Sequence, residues 1–128
     1  MNNAMCEKYL MAKPEATKDY PFGEDVAVYK VKGKMFATLG LGKRITGEAN
    51  DKIYWWMNLK CDPDEAFILR DVFPSVMAGY HMNKTHWNTI ILDGSIPQGE
   101  IERMMDNSFK LVVSKMTKKD RQSIGIQL

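Results

Sequence analysis

The side chains with the widest range of chemistry in this chain lie in one short segment. Residues 81–88 read His-Met-Asn-Lys-Thr-His-Trp-Asn and contain both histidines of the protein. Imidazole titrates near neutral pH, and amide, ammonium and indole groups supply hydrogen-bond donors and acceptors. We predict a ligand-binding cluster that combines this segment with one residue of an earlier predicted strand: His81, Asn83, His86, Trp87, Asn88 and Asn58.

The neighbouring residues predict how this segment is held. Residues 89–92 are short and rich in β-branched types, which is typical of a half-buried strand, and Asp93-Gly94 is a turn signal after it. Residues 81–84 are then a loop that enters the strand. A structural interpretation stays open, in which Trp87 packs and the asparagines satisfy backbone groups at strand ends.

The two histidines leave an enzyme or a small-molecule binder as one possible class of function. His81 and His86, even with Cys61, do not have a recognised zinc spacing, so we predict no metal and no cofactor. Acid–base chemistry by one histidine stays open. No strand–turn–helix elbow presents a serine or threonine nucleophile.

Basic residues are unevenly distributed along the chain. The net charge is only +2, but residues 26–47 hold five basic residues and no acid. Residues 26–31 and 34–39 flank Lys32-Gly33, a glycine-bearing hairpin loop. We expect Lys30, Lys32 and Lys34 to crowd the hairpin tip, where they could contact phosphate.

A two-residue loop fixes which side chains of the hairpin share a face. We predict that the core face carries the aliphatic set, with Tyr29, Phe36 and Thr38 on the other face. The aliphatic set is Val26, Val28, Met35, Ala37 and Leu39.

Residues 53–60 alternate cleanly and predict the clearest strand. Ile53, Trp55, Met57 and Leu59 form the face that we expect to be buried. The opposite, open face would carry Tyr54, Trp56, Asn58 and Lys60. Two aromatic rings, an amide and an ammonium suit stacking on a ring and holding a phosphate.

Three helices complete the predicted domain. They cover residues 3–12, residues 62–73 after the Asp62-Pro63 start signal, and a long methionine-rich segment that opens at Pro97. Residues 40–52 are expected to connect strands, and residues 118–128 form a basic tail. This order predicts an α+β fold, with one mainly antiparallel sheet and helices packed on one face.

Size and composition limit the class of protein. A chain of 128 residues suits a single domain, residues 1–128, and no apolar run is long enough to cross a membrane. The first residues lack a signal-peptide pattern, so we expect a cytoplasmic protein whose Cys6 and Cys61 are thiols. We expect a monomer.

The motifs of the chain resemble those of the MmcQ/YjbR family of small bacterial proteins. The most specific is His-x-Asn-Lys-x-His-Trp at residues 81–87, and Asn-Leu-Lys-Cys-Asp-Pro at 58–63 also matches. Pro-Phe-Gly at 21–23 and Leu-Asp-Gly-Ser at 92–95 are weaker matches. The resemblance implies a CyaY-like fold and DNA binding, with hairpins acting as wings. It places the family's characteristic residues on the 81–87 loop and on Lys60, and it leaves a wing role for Lys43 and Arg44 doubtful.

Three functions therefore compete. The first is DNA binding, with phosphate contacts from Lys30, Lys32, Lys34, Lys60 and Lys84. The second is a protein-interaction adaptor that uses the open aromatic face and the methionine-rich helix. The third is a small-molecule binder or enzyme centred on the 81–87 loop.

Overall fold

The computed structural model describes residues 1–42 and 53–125, which form a six-stranded sheet and four helices. The helices are α1 (Asn3–Met11), α2 (Pro63–Val72), α3 (Gln98–Ser114) and α4 (Lys118–Ile124). The strands are β1 (Ala16–Asp19), β2 (Val26–Val31), β3 (Lys34–Leu41), β4 (Trp55–Lys60), β5 (Val76–Ala78) and β6 (Trp87–Ile91).

The sheet has the order β1-β2-β3-β4-β6-β5, and its neighbouring strands pair antiparallel. Side chains from the helices and from one face of the sheet form a single hydrophobic core, as with Leu10 of α1, Leu59 of β4 and Met105 of α3. The α+β prediction, with helices on one face, is therefore confirmed.

Local sequence signals set the helix boundaries. The Asp62 side chain caps α2 by accepting from the backbone N–H of Asp64 at 3.1 Å, and Pro63 occupies the first helical position. The predicted apolar stripe of α3 is buried, including Ile101, Met104 and Phe109. These two helices begin and pack as their sequences predict.

The face prediction for the hairpin is correct for Ala37, Leu39 and Thr38 but wrong for its other residues, because β3 contains a bulge. Lys32 and Gly33 form the two-residue loop, both with positive φ, as a hairpin turn of this length requires. The register then shifts between Tyr29 and Lys30, so that Tyr29 pairs with Ala37. Phe36 consequently packs in the core, edge-on to a phenylalanine of α3 with centroids 5.2 Å apart.

The shift exchanges the faces of the β2 residues relative to those of β3 beyond the bulge. Tyr29 joins the core with Ala37 and Leu39, whereas Val28 lies opposite Thr38 on the other face. Val26 and Met35, predicted for the core, instead line the groove on the open face. A one-residue shift in register reverses the face of every side chain that follows it.

Two of the predicted segments extend beyond the described residues. Lys43 and Arg44, like most of the predicted 40–52 connection, lie outside them. The basic tail contains α4, which Thr117 caps by accepting from the backbone N–H of Asp120 at 3.2 Å. Within the described ranges, the helices are too short or too polar to cross a membrane.

Candidate functional site

A groove of about 490 Å³ lies on the sheet face opposite the three long helices. Its volume is within the range of pockets that hold small molecules. Strands β2, β3 and β4 form its floor, and the segments around residues 22 and 80–82 form its walls. The lining residues are Phe22, Val26, Met35, Thr38, Gly40, Leu41, Gly42, Trp56, Asn58, Tyr80, His81 and Met82.

Three aromatic rings form one wall of the groove. Trp56 meets Tyr80 edge-on, with ring centroids 5.3 Å apart and planes at 88°, and Tyr80 lies against His81 at 4.0 Å. A Cβ atom at Gly42 would lie 2.1 Å from the indole Nε1 of Trp56, so this glycine lets the indole pack directly on the backbone. His81 has a φ of 58°, a left-handed conformation that costs a non-glycine residue on the order of 1–3 kcal/mol.

A row of hydrogen bonds crosses the floor of the groove. The backbone N–H of Tyr80 donates to Thr89 Oγ1 at 2.8 Å, and the Thr89 hydroxyl donates to Asn58 Oδ1. The Asn58 amide then donates from Nδ2 to Thr38 Oγ1 at 3.0 Å. Thr38 is 4% exposed and Thr89 is fully buried, so this polar ladder of Thr38, Asn58 and Thr89 satisfies groups that have little access to water.

The predicted cluster at residues 81–88 does not form one site. His81 lines the groove, whereas the Asn83 side chain accepts from the backbone N–H of Thr85 at 2.9 Å and of His86 at 3.2 Å. That pattern is an Asx turn, which shapes the loop. His86 is exposed, and its carbonyl accepts from the backbone N–H of Cys61 at 2.8 Å.

Trp87 and Asn88 are structural, and the residue that organises them is Arg70 of α2. Its Nε donates to Asn88 Oδ1 at 2.7 Å, and its Nη2 donates to the carbonyls of Trp87, at 3.2 Å, and Lys84. Asn88 and Trp87 are buried. Sequence reasoning missed Arg70 because its partners lie 14 to 18 residues away along the chain.

The predicted phosphate-binding lysines fall into two groups. Lys30 lies 3.4 Å from Asp19, and Lys32 lies 3.3 Å from Glu15, so β1 and the turn before it offset part of their charge. Lys84 donates to the Gly79 carbonyl at 3.1 Å and thus braces its own loop.

Lys34 and Lys60 belong to a different environment. Antiparallel pairing of Ala37 with Leu59 places the start of β3 beside the end of β4, and Lys34 is exposed there. Burial lowers the pKa of Lys60, and the neighbouring Lys115 ammonium, directly after α3, lowers it further. The Lys60 ammonium therefore lies beside another cation and not on the groove floor.

Helix α4 adds further positive charge at this end of the molecule. The Lys32 ammonium donates to Ser123 Oγ at 2.8 Å, and Lys119 is one helical turn before Ser123 on α4. We call Lys32, Lys34, Lys60, Lys115 and Lys119 the basic end. Except for Lys32, these lysines have no carboxylate within 4 Å among the residues that the structure describes.

The remaining predicted features are accounted for by packing. Cys6 and Cys61 are free thiols, and burial raises the pKa of each to about 11. The described ranges contain no group of three or more His, Cys, Asp or Glu residues that could hold a metal. Met104 and Met105 of α3 are buried, so these two methionines pack in the core.

Comparison with known proteins yields relatives over most of the chain. The sequence profile of the YjbR family matches residues 11–111. The uncharacterized protein YjbR of Escherichia coli K12 is 30% identical over 115 residues, which cover 90% of each chain. The uncharacterized protein YbdF of Escherichia coli O157:H7 is 30% identical over 105 residues, covering 82% of this chain and 79% of that protein.

Solved structures match the fold closely. The crystal structure of Deinococcus radiodurans protein DR2400, a DUF419 domain, has a TM-score of 0.82 and 30% sequence identity, covering 98% of this chain and 89% of that one. A crystal structure from Pseudomonas syringae has a TM-score of 0.76 and 31% identity, covering 87% of this chain and 98% of that one.

Proposed function

The chain belongs to the YjbR family, and we propose that it binds DNA through phosphate contacts made by the basic end. The observation that carries the proposal is the group of lysines at the basic end, which, except for Lys32, have no carboxylate within 4 Å among the described residues. Burial, and next to it the charge of Lys115, lower the pKa of Lys60. An anion placed between two such cations removes this repulsion. Backbone phosphate is the anion that lysines bind without reading sequence.

The arrangement of the neighbouring lysines gives the site its extent. Lys34 is exposed beside the Lys60–Lys115 pair, and α4 joins the hairpin tip through Lys32 and Ser123. A row of cations at one end of a domain suits a strand of phosphates better than a single phosphate. This proposal keeps the predicted partner and accords with a cytoplasmic location and a monomeric binding unit.

The individual lysines are expected to contribute unequally to the affinity for DNA. Lys30 and Lys32 already have carboxylates within 3.4 Å, so they release less counterion on binding than unpaired lysines do. We expect Lys34→Ala to weaken DNA binding more than Lys30→Ala. Asp19→Ala, which frees the Lys30 ammonium, is expected to strengthen binding.

The test is a salt titration of binding to a fluorescent duplex, followed by anisotropy. Combined replacement of Lys34, Lys60 and Lys115 by alanine should reduce the slope of log K against log salt by about 0.9 for each lost phosphate contact. The matched control is Lys8→Ala, which removes a charge from the exposed side of α1 and should leave the slope unchanged.

Thermal unfolding of each variant separates a binding effect from loss of the fold. Titrations with single-stranded DNA and with RNA of the same length test whether the protein prefers duplex DNA. The proposal is wrong if the native protein shows no salt-sensitive association at about 50 mM ionic strength, where screening is weak. It is equally wrong if a folded triple variant binds like the native protein.

A further inference from the structure

We propose that the groove on the open sheet face is a second binding site, for a small planar ring compound that carries a hydrogen-bond acceptor such as a carbonyl oxygen or a ring nitrogen. This site is separate from the basic end and does not depend on DNA binding. It follows from the direction of the hydrogen bonds in the polar ladder and from the rings around it.

The direction of the ladder is fixed at its buried end. The backbone N–H of Tyr80 can only donate, so Thr89 Oγ1 must accept from it. Thr89 has no exposed surface, and the acceptor recorded for its hydroxyl hydrogen is Asn58 Oδ1. Turning the amide over would make Thr89 accept twice and strand its own hydrogen, so the orientation with Oδ1 toward Thr89 is the stable one.

The free end of the ladder therefore presents donors. Asn58 uses one Nδ2 hydrogen on Thr38 and keeps the other, and Thr38, which accepts at 3.0 Å, keeps its hydroxyl hydrogen. No acceptor for these two hydrogens occurs among the described residues, and both side chains line the groove. A ligand atom that accepts two hydrogen bonds complements this floor, whereas a donor does not.

The walls define the rest of the ligand. Phe22, Met35 and Met82 supply apolar and thioether surface, and Trp56 and Tyr80 supply aromatic edges and faces. Planar rings pack well against such surfaces. A flat apolar body with one polar acceptor thus matches both the walls and the floor.

His81 lies at the rim of the groove with its backbone in the left-handed conformation. Its left-handed backbone holds the imidazole against Tyr80, with centroids 4.0 Å apart. Backbone strain of this kind is typical of binding sites. We infer that the imidazole covers one side of the bound ring.

The experiment is an amide and indole NMR titration with two matched probes. Acetophenone has a ring and a carbonyl acceptor, and ethylbenzene has the ring without the acceptor. We expect acetophenone to bind at about millimolar Kd, as a fragment of this size should. The shifts should localise to Thr38, Asn58, Tyr80 and His81. Ethylbenzene should bind at least about tenfold more weakly, since it accepts neither hydrogen bond from the floor.

Three variants test the separate parts of the site. Thr38→Val keeps the shape but removes one of the two donors of the floor, so it should reduce the preference for acetophenone. Thr38→Ser should retain that preference. His81→Asn removes the ring at a position whose backbone asparagine tolerates, so the fold should survive while both probes bind more weakly.

Three results would overturn the proposal. The first is that acetophenone, at concentrations up to about ten times the expected millimolar Kd, causes no localised shifts in the native protein. The second is that ethylbenzene binds as tightly as acetophenone, because the floor would then supply no donor. The third is full preference in folded Thr38→Val, because the Thr38 hydroxyl would then not donate to the ligand.

Discussion

The two faces of the central sheet are stabilised by different interactions, apolar packing on one and side-chain hydrogen bonds on the other. On the helix-covered face, Met57 and Leu59 of β4 are buried in the apolar core, which residues of α3 also form. On the open face, Asn58 of the same strand bonds to both neighbouring strands. Neighbouring residues of one strand thus belong to a core that excludes water and to a groove that a ligand can enter.

The bulge in β3 is stabilised by a side chain of α3. Ser108 of α3 donates to the carbonyl of Phe36, the bulged residue, at 2.5 Å and accepts from the backbone N–H of Lys60 at 2.9 Å. Backbone groups that the bulge leaves without a ladder partner are therefore satisfied by a helix side chain. Without this contact, the register that brings Tyr29 and Phe36 to the core would be costly.

The largest effect is expected on the covered face. Leu59→Ala should lower the free energy of unfolding by about 2–5 kcal/mol, because it opens a cavity in a core that cannot fully collapse. Urea denaturation measures it. The matched control is Leu41→Ala, where the leucine is 61% exposed and the change should be within about 0.5 kcal/mol. Equal effects at the two positions would contradict the assignment of the faces.

The second-largest loss of stability is expected at Ser108 of α3, which hydrogen-bonds to the backbones of β3 and β4. Ser108→Ala leaves the Phe36 carbonyl and the Lys60 N–H unpaired in the interior and should cost about 2–3 kcal/mol. Ser114→Ala is the control on the same helix, because Ser114 is exposed. An effect no larger than that of the control would show that the bulge does not need Ser108.

A smaller loss of stability is expected at Asn58 on the open face, although it should exceed what the partial exposure of this side chain suggests. Asn58→Ala leaves the buried hydroxyls of Thr38 and Thr89 without their amide partner, at a cost of about 1–2 kcal/mol. Asn107→Ala serves as control, since Asn107 is half-buried and has no side-chain hydrogen bond among the described residues. A neutral Asn58→Ala in urea denaturation would mean that the ladder does not stabilise the sheet.

The smallest effect is expected at the turn after β6, which belongs to neither face. Burial alone would raise the pKa of Asp93, but hydrogen bonds from Ser75 and Ser95 hold it below its usual value of 3.8. The ionised form is thus favoured by folding, so its contribution is present above about pH 4 and is lost as the pH falls through the lowered pKa.

Asp93→Asn tests this by removing the titrating group. The difference in unfolding free energy between the native protein and the variant should shrink as the pH is lowered from 6 to 2. Guanidinium denaturation across that range measures it. A difference that is constant with pH would show that Asp93 is not ionised in a stabilising environment.

The sequence by itself determined the elements whose signals are local. The cap at Asp62, the stripe of α3 and the alternation in β4 each depend on residues within a turn or two, and each gave the observed element. The exception is Ile53, predicted for the buried face, which precedes β4 and is 53% exposed. The open-face positions of Trp56 and Asn58 followed from the same alternation.

Only the tertiary structure decided the register of β3 and the partners of the polar residues. The bulge at Phe36 is stabilised by Ser108, which lies 72 residues away, and the loop at residues 81–88 is held by Arg70 from another helix. The predicted cluster therefore divides between the groove, the loop and the core. Hydrogen-bond partners across a sheet or between layers leave no periodic trace in sequence, because nothing in the local chain depends on them until the domain has closed.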